Sequence, residues 1–489
     1  SPFVAHLQRL FPKLEVEEFQ NTIELADAEH AIEIAPVLMA LHERRRVGVQ
    51  ASACASADRL KPELQRAEPV LGAPPAWKHL LEIPELKLFA GKLAGLREPN
   101  PAENLSPALA EKLFGPVLQT SVSRLEEFAQ CPFKFFVRSG LRAGERKLFE
   151  LDARERGSFQ HEVLKIFHDD LAKENKRWRD ITPPEARERI HAIAGGLMEN
   201  FREGLMRDTA QTRFEARAMA ESLQDFIAVI VTWMRGQYEF DPAAAELDFG
   251  GKDSHATAWE IDLGRGHKLA LQGRIDRVDL WRDPDGGALA VVMDYKSGGK
   301  KWDAILAEHG VQMQLPAYLN ALRRWKNPSE RFGADRLIPA GVFYVNLRGQ
   351  FESGKTRDEV LGEADARKSP YQHTGRFDAG ALPKLDRAGA ADQFNYRLNQ
   401  DGSLRKGSTE ALPRAEFEKL LDGVEARLQE MGRAIFSGEA KVDPYRKGSE
   451  TPCAFCDYRA VCRIDPWTHP WRVLRAAKES GSAAVPAAS

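Results

Sequence analysis

Asp294 and Lys296 stand two apart in VVMDYKSG, so on a β-strand both side chains leave the same face and a carboxylate lies beside an ammonium. The stretches KLALQGRIDRVDLW and ALAVVMDYKSG flank the turn-forming RDPDGG, a period-two pattern that predicts a β-hairpin. With the turn centred on Asp285, Asp276 of GRIDRVD falls opposite Asp294, their Cβ atoms roughly 5 Å apart. Two carboxylates that close are stable only with a shared proton or a bound cation. Oxygen ligands suit a hard divalent ion, Mg²⁺ or Mn²⁺, which can polarise a phosphoryl oxygen and acidify a bound water, while the lysine steadies that water and the developing charge. This is chemistry for cleaving phosphodiesters. An arbitrary D-x-K triplet is usually a pair of solvent-facing charges on an edge strand. Here valines and a methionine precede it, a Gly pair follows it, and an Asp occupies the matching position of the partner strand.

Two helices are placed to complete such a site. GSFQHEVLKIFHDDLA, residues 157 to 172, is amphipathic, with Phe159, Val163, Ile166 and Phe167 as its apolar stripe. His161 on this helix offers an imidazole as a further metal ligand, although a lone histidine is more often packed in a core. Downstream, one helix is predicted from about Trp302 to Trp325, and within it Gln314 and Tyr318 are spaced i, i+4 so that their polar tips converge.

Cys453, Cys456 and Cys462 form CAFCDYRAVC, a cluster suited to metal rather than to a disulfide framework in a reducing compartment. A fourth thiol is needed, and Cys131 is the natural one, because the alternative, Cys54, lies in the apolar-poor ASACASAD. Four thiolates suit zinc or an iron-sulfur cluster; spacing leans toward zinc without choosing. Either would staple a long loop closed. Cys131 follows a helix predicted in SVSRLEEFAQ, capped by Ser121 or Ser123, with Leu125, Phe128 and Ala129 on one face.

The whole chain has 489 residues, 43% hydrophobic and 29% charged, enough for two or three domains. No apolar run approaches the ~20 residues of a membrane helix, so no membrane role is expected and the protein reads as cytoplasmic. The net charge of −2 gives no global attraction to nucleic acid, so DNA contacts would come from local patches such as KSGGKK and the group Arg142, Arg146 and Lys147. The opening SPFVAHLQRL has neither an initiator Met nor the order of a signal peptide, and suggests a fragment of something longer. Residues 1 to about 115 read as helices separated by Pro-containing breaks, 184 to 240 as an inserted helical bundle, AGVFYVNL as a strand, 349 to 410 as a charged loop region and the last residues as disordered.

Six stretches in order, SVSRLEEFAQCPFKFF, GSFQHEVL, LQGRIDRVD, VVMDYKSG, QLPAYL and CAFCDYRAVC, resemble the C-terminal nuclease domain of the AddB family, within the PD-(D/E)xK, RecB-like nucleases. The resemblance implies an α/β restriction-endonuclease-like fold, a mixed sheet flanked by helices, over 116–470, after a helicase-like remnant at 1–115 and before a tail at 471–489. It implies that His161, Asp276 and Asp294 hold the catalytic metal, that Lys296 assists the attacking water, and that Gln314 and Tyr318 support them. It also implies that Cys131, Cys453, Cys456 and Cys462 hold a 4Fe-4S cluster rather than zinc. The implied activity is Mg²⁺-dependent, exonuclease-type cleavage of a DNA strand in double-strand-break repair, beside an AddA-like partner subunit and on DNA, single-stranded and duplex. Two other readings stand beside it: a DNA-binding scaffold whose partner cuts, and a metal-dependent RNase.

Overall fold

The computed structural model describes residues 84, 104–144, 149–251, 254, 256–349, 368–466 and 469–476. The chain divides into two compact units, 1–101 with 465–469 and 102–464 with 470–489. Almost all of the first lies outside the described residues, and with it the helices expected there and Cys54. Arg146, Lys147 and the tail from residue 477 lie outside as well.

The second unit is built on a mixed sheet. Its strands are β1 (Val117–Ser121), β2 (Asp241–Phe249), β3 (Trp259–Gly264), β4 (His267–Arg282), β5 (Gly287–Lys296), β6 (Arg336–Asn346), β7 (Thr374–Asp378) and β8 (Ala411–Leu412). The order is β1-β4-β5-β6-β7-β8, with β2 and β3 also paired to β4. At 16 residues β4 is long enough to serve two sets of neighbours. Its first part pairs with β1 in parallel and with β3 antiparallel, and its second part runs antiparallel to both β2 and β5.

Helices cover both faces. Among them are α1 (Pro107–Phe114), α2 (Val122–Gln130), α3 (Ala153–Lys173), α4 (Pro183–Asn200), α5 (Ala210–Gly236), α6 (Ala304–Glu308), α7 (Gln314–Arg323) and α8 (Arg414–Phe436). Leu125 and Phe128 of α2, Leu315 and Leu319 of α7, and Phe417, Leu421 and Leu428 of α8 pack with Ala290 and Val292 of β5. On the opposite face, Phe159 and Val163 of α3 and Phe226 and Ile230 of α5 pack with Val291 and Met293. Strand β5 is therefore buried on both sides, which explains why ALAVVM is a continuous apolar run rather than an alternating one. Among the described residues no helix is long and apolar enough to cross a membrane.

The hairpin register is the one the turn arithmetic gives: Arg277 faces Met293 and Val278 faces Val292. Two expectations fail. The helix expected from Trp302 to Trp325 is broken into α6 and α7, with Gly310 between them at φ 79°. Pro316 accounts for the break: lacking an N–H it fits the first turn of a new helix but not the interior of a continuous one. Residues 368–410, expected as loop, contain β7 and bury Phe377, Phe394 and Tyr396, while 350–367 lie outside the described residues.

Candidate active site

Strand β5 ends in the site. Asp294 is buried and Lys296 half-buried, and the Lys296 ammonium is ion-paired to Asp294 Oδ2. That oxygen accepts no hydrogen bond of good geometry, an uncommon state for a buried carboxylate oxygen. Asp276 on β4 lies one residue beyond the last ladder pair, where its Oδ2 accepts the Tyr295 N–H at 2.8 Å. A carboxylate thus takes the backbone donor at the mouth of the hairpin and fixes Asp276 beside Asp294. Burial, then the Asp294 charge, pushes the Asp276 carboxyl up to about 7, with His161 opposing.

His161 comes from α3, whose start is capped by Asp152 accepting the Glu155 N–H at 2.8 Å. Gln160 on the same helix accepts the Ser297 hydroxyl at 2.6 Å, tying α3 to the end of β5. His161 Nδ1 is 2.9 Å from Glu246 Oε1 and 3.6 Å from Asp276 Oδ1. Burial would lower the imidazole pKa, but the Glu246 hydrogen bond and the charges of Asp276, Glu246 and Asp294 outweigh it and raise it to about 9. The imidazolium therefore neutralises part of the carboxylate charge in the metal-free protein.

Glu246 is not among the residues expected from the sequence. It lies on β2 between Ala245, which faces Arg277, and Leu247, which faces Ile275, so its backbone is level with Asp276. Its φ of 48° is left-handed, a conformation costing a non-glycine residue about 1–2 kcal/mol. No motif announces it; the signal is positional, a carboxylate level with Asp276 on the next strand, and it requires recognising β2.

Among the described residues, His161, Glu246 and Asp276 alone bring three metal-ligating atoms within 4.8 Å of one another. One imidazole nitrogen with carboxylate oxygens, and the Asp294 carboxylate adjacent, is a donor set that fits a hard divalent cation. These residues line a cavity of about 710 Å³ together with Arg154, Arg202 and Gln314.

Helix α7 contributes Gln314 and Tyr318, the Gln314 amide donating to the Tyr318 hydroxyl at 3.4 Å. Its first turn is anchored by a second residue that the sequence does not single out. Half-buried Glu126 of α2 accepts the Met313 and Gln314 N–H groups at 2.6 and 2.8 Å, a carboxylate capping a helix start. Gly273 on β4 makes room for the ring: a Cβ there would lie 3.0 Å from both Tyr318 and Phe249.

The cysteines lie elsewhere in the same unit. Cys131 is buried at the end of α2, while Cys453, Cys456 and Cys462 are partly exposed. Burial pushes the Cys131 thiol up, with backbone N–H groups of Lys134, Asp443 and Phe133 working against it, and Cys453 is close enough to be felt electrostatically. Cys453 in turn senses Cys456 and Cys462. Among the described residues no three of these sulfurs lie within 4.8 Å of one another.

The sequence profile of the PD-(D/E)XK nuclease superfamily matches residues 119–463. The chain belongs to this superfamily. It is also similar to bacterial proteins named as a subunit of an ATP-dependent helicase/deoxyribonuclease. That of Moorella thermoacetica is 31% identical over 95% of this chain and 39% of the relative. That of Alkaliphilus metalliredigens is 30% identical over 77% and 32%, and that of Symbiobacterium thermophilum 34% identical over 74% and 31%. The chain spans roughly a third of the length of these relatives.

Proposed function

We propose that this chain is the nuclease part of a helicase-nuclease complex and hydrolyses phosphodiester bonds of a single DNA strand, in the exonuclease manner, with Mg²⁺ or Mn²⁺. The observation that carries the reading is the convergence of His161, Glu246, Asp276 and Asp294, with Lys296 alongside, on one cavity. Superfamily membership and the relatives' names support DNA as the substrate. In this reading those four residues hold the cation. When bound, the cation polarises the scissile phosphate and acidifies a water for attack.

The protein's own groups do the rest. Lys296, held against Asp294, keeps its proton, because that carboxylate outweighs the burial penalty on the ammonium. It therefore presents positive charge where the phosphorane-like negative charge develops. Gln314 and Tyr318, fixed through Glu126 and Gly273, offer an amide and a hydroxyl to the strand's phosphates. Glu246 orients His161 so that a ring nitrogen stays aimed into the cavity.

Cys131, Cys453, Cys456 and Cys462 are assigned to a 4Fe-4S cluster, which when bound would cross-link the end of α2 to the 453–462 segment. Residues 1–115 are then the end of a helicase-like region, 116–470 the nuclease domain and 471–489 a tail. The partner is an AddA-like protein, the setting double-strand-break repair in the cytoplasm.

The test is incubation of the full chain and its Asp294→Ala variant with end-labelled single-stranded DNA, duplex DNA and RNA, with and without Mg²⁺. Mg²⁺-dependent cleavage of the DNA strand that the variant has lost is expected. Equal cleavage by both proteins overturns the site. DNA binding with no cleavage under any condition favours the scaffold reading instead. Brown protein containing iron and sulfide after anaerobic purification is expected, and a colourless zinc protein would overturn the cluster.

A further inference from the structure

A second cavity of about 240 Å³ lies beside the first, and Lys296 lines both. Its other walls come from the β5–α6 connection, through Lys300 and Lys301, and from Tyr344, Asn346, Gln372 and Thr374. Most of its polar side chains are committed to the protein. The Asn346 amide donates to the Arg348 and Pro370 carbonyls, the Gln372 amide to those of Ala391 and Phe394, and the Thr374 hydroxyl to Lys300 O at 3.0 Å.

Lys300, half-buried where the neighbouring Lys301 is exposed, is an exception. Its backbone is pinned by Thr374, and its ammonium stands 4.7 Å over the centre of the Tyr344 ring, which Lys296 approaches at 6.0 Å. Among the described residues this ammonium makes no hydrogen bond and no ion pair, although it sits within electrostatic range of Lys296, Glu126 and Asp294. The buried Tyr344 hydroxyl also lacks a hydrogen bond of good geometry, since the nearby Gln312 amide is committed to Lys301 O and its carbonyl to the Asp303 N–H. Among the described residues the Lys300 ammonium is thus left unmet in a small polar cavity one lysine away from the proposed cleavage site. A cation held there without an ion pair or hydrogen bond of its own is poised to take a ligand bearing anionic oxygens.

We propose that this cavity binds the phosphodiester adjoining the scissile one on a single DNA strand, with the Lys300 ammonium as its counter-charge. Because Lys296 faces both cavities, a strand running through the site passes from the cation-holding carboxylates to Lys300. The proposal rests on the nuclease reading of the neighbouring site, so its test is a binding measurement from which cleavage is absent.

Affinity of the full chain for a fluorescent oligothymidylate is measured in EDTA across a range of salt concentrations, for the wild type, Lys300→Met and Lys300→Arg. Lys300→Met keeps the stem over Tyr344 and removes the charge. It is expected to bind severalfold more weakly, and its slope of log affinity against log salt should be shallower by about 0.7, the value for one lost single-strand phosphate contact. Lys300→Arg should keep both affinity and slope. With Mg²⁺ present, Lys300→Met should raise KM by a larger factor than it lowers kcat. Unchanged affinity and slope in Lys300→Met overturns the proposal whatever cleavage does. Loss of cleavage in Asp294→Ala with these binding values intact bears only on the nuclease site. If Lys300→Met lowers the melting temperature markedly, Lys300→Gln replaces it, read by the same slope.

Discussion

The β4–β5 hairpin carries two charged clusters, one on each face, built from nearly the same residue types. On one face Arg277 and Asp279, two apart on β4, form a two-pronged ion pair with nitrogen–oxygen distances of 2.7 and 2.5 Å. The Tyr238 hydroxyl donates to Asp279 at 2.9 Å, and the Trp178 ring stacks on the guanidinium at 4.8 Å. Arg277 is 1% exposed and Asp279 0%. On the other face Asp294 and Lys296, also two apart, are joined by Asp276, Glu246 and His161. There negative charge exceeds positive, a carboxylate oxygen is left without a hydrogen bond, and the group borders a cavity. The two triplets, R-x-D and D-x-K, are alike in sequence. What separates the two clusters is closure: the first satisfies itself and is sealed, and the second is open to a cavity, where the proposed function places a cation.

This contrast can be broken from either side. Asp294→Ala should lower metal-dependent cleavage by at least about a thousandfold, ~4 kcal/mol, with little change in the urea midpoint. Asp279→Ala should do the reverse, leaving the buried Arg277 charge unpaired and costing about 3–5 kcal/mol of stability by urea unfolding. A stable Asp279→Ala protein that has lost cleavage would exchange the roles of the two faces.

Smaller effects sharpen the comparison. Mg²⁺ at a hundred times its dissociation constant should stabilise the wild type by about 2.7 kcal/mol, seen as a shift in thermal unfolding. Asp276→Asn should lose that shift while leaving metal-free stability unchanged or higher, because it removes a carboxylate penalised by burial and by Asp294. Glu126→Gln, which weakens the cap on α7, should cost about 1 kcal/mol and slow cleavage through Gln314. A stability loss without any change in cleavage would make Glu126 purely structural.

Much of this is legible in the residues. The hairpin register follows from turn chemistry and period two, and most of α3 follows from its apolar stripe, although it begins four residues earlier than the stripe marks. Other parts are hidden for physical reasons. Glu246 sits on a strand, AAAELDF, whose alternation is weak and whose left-handed residue is not a glycine, so neither period nor turn chemistry marks it. Nothing in the sequence of α2 marks Glu126, whose role arises only where α7 begins above it. Helix α8 has the buried Phe417, Leu421, Val424 and Leu428 of a 3.6-residue stripe and still escapes assignment, because the charged, Gly-rich stretch before it masks the change of period. The break at Pro316 is written in the sequence, but the flanking apolar residues favour one long helix.

The most direct test is calorimetric titration of Mn²⁺ into the metal-free protein, beside the His161→Ala, Asp276→Asn and Asp279→Asn variants. Saturable binding is expected in the wild type, weaker by at least about tenfold in His161→Ala and Asp276→Asn, as for loss of a ligand or its support, and unchanged in Asp279→Asn wherever that variant stays folded. Binding that is absent from the wild type, or equal in all the folded proteins, would contradict the assignment of the open face of the hairpin as a cation site.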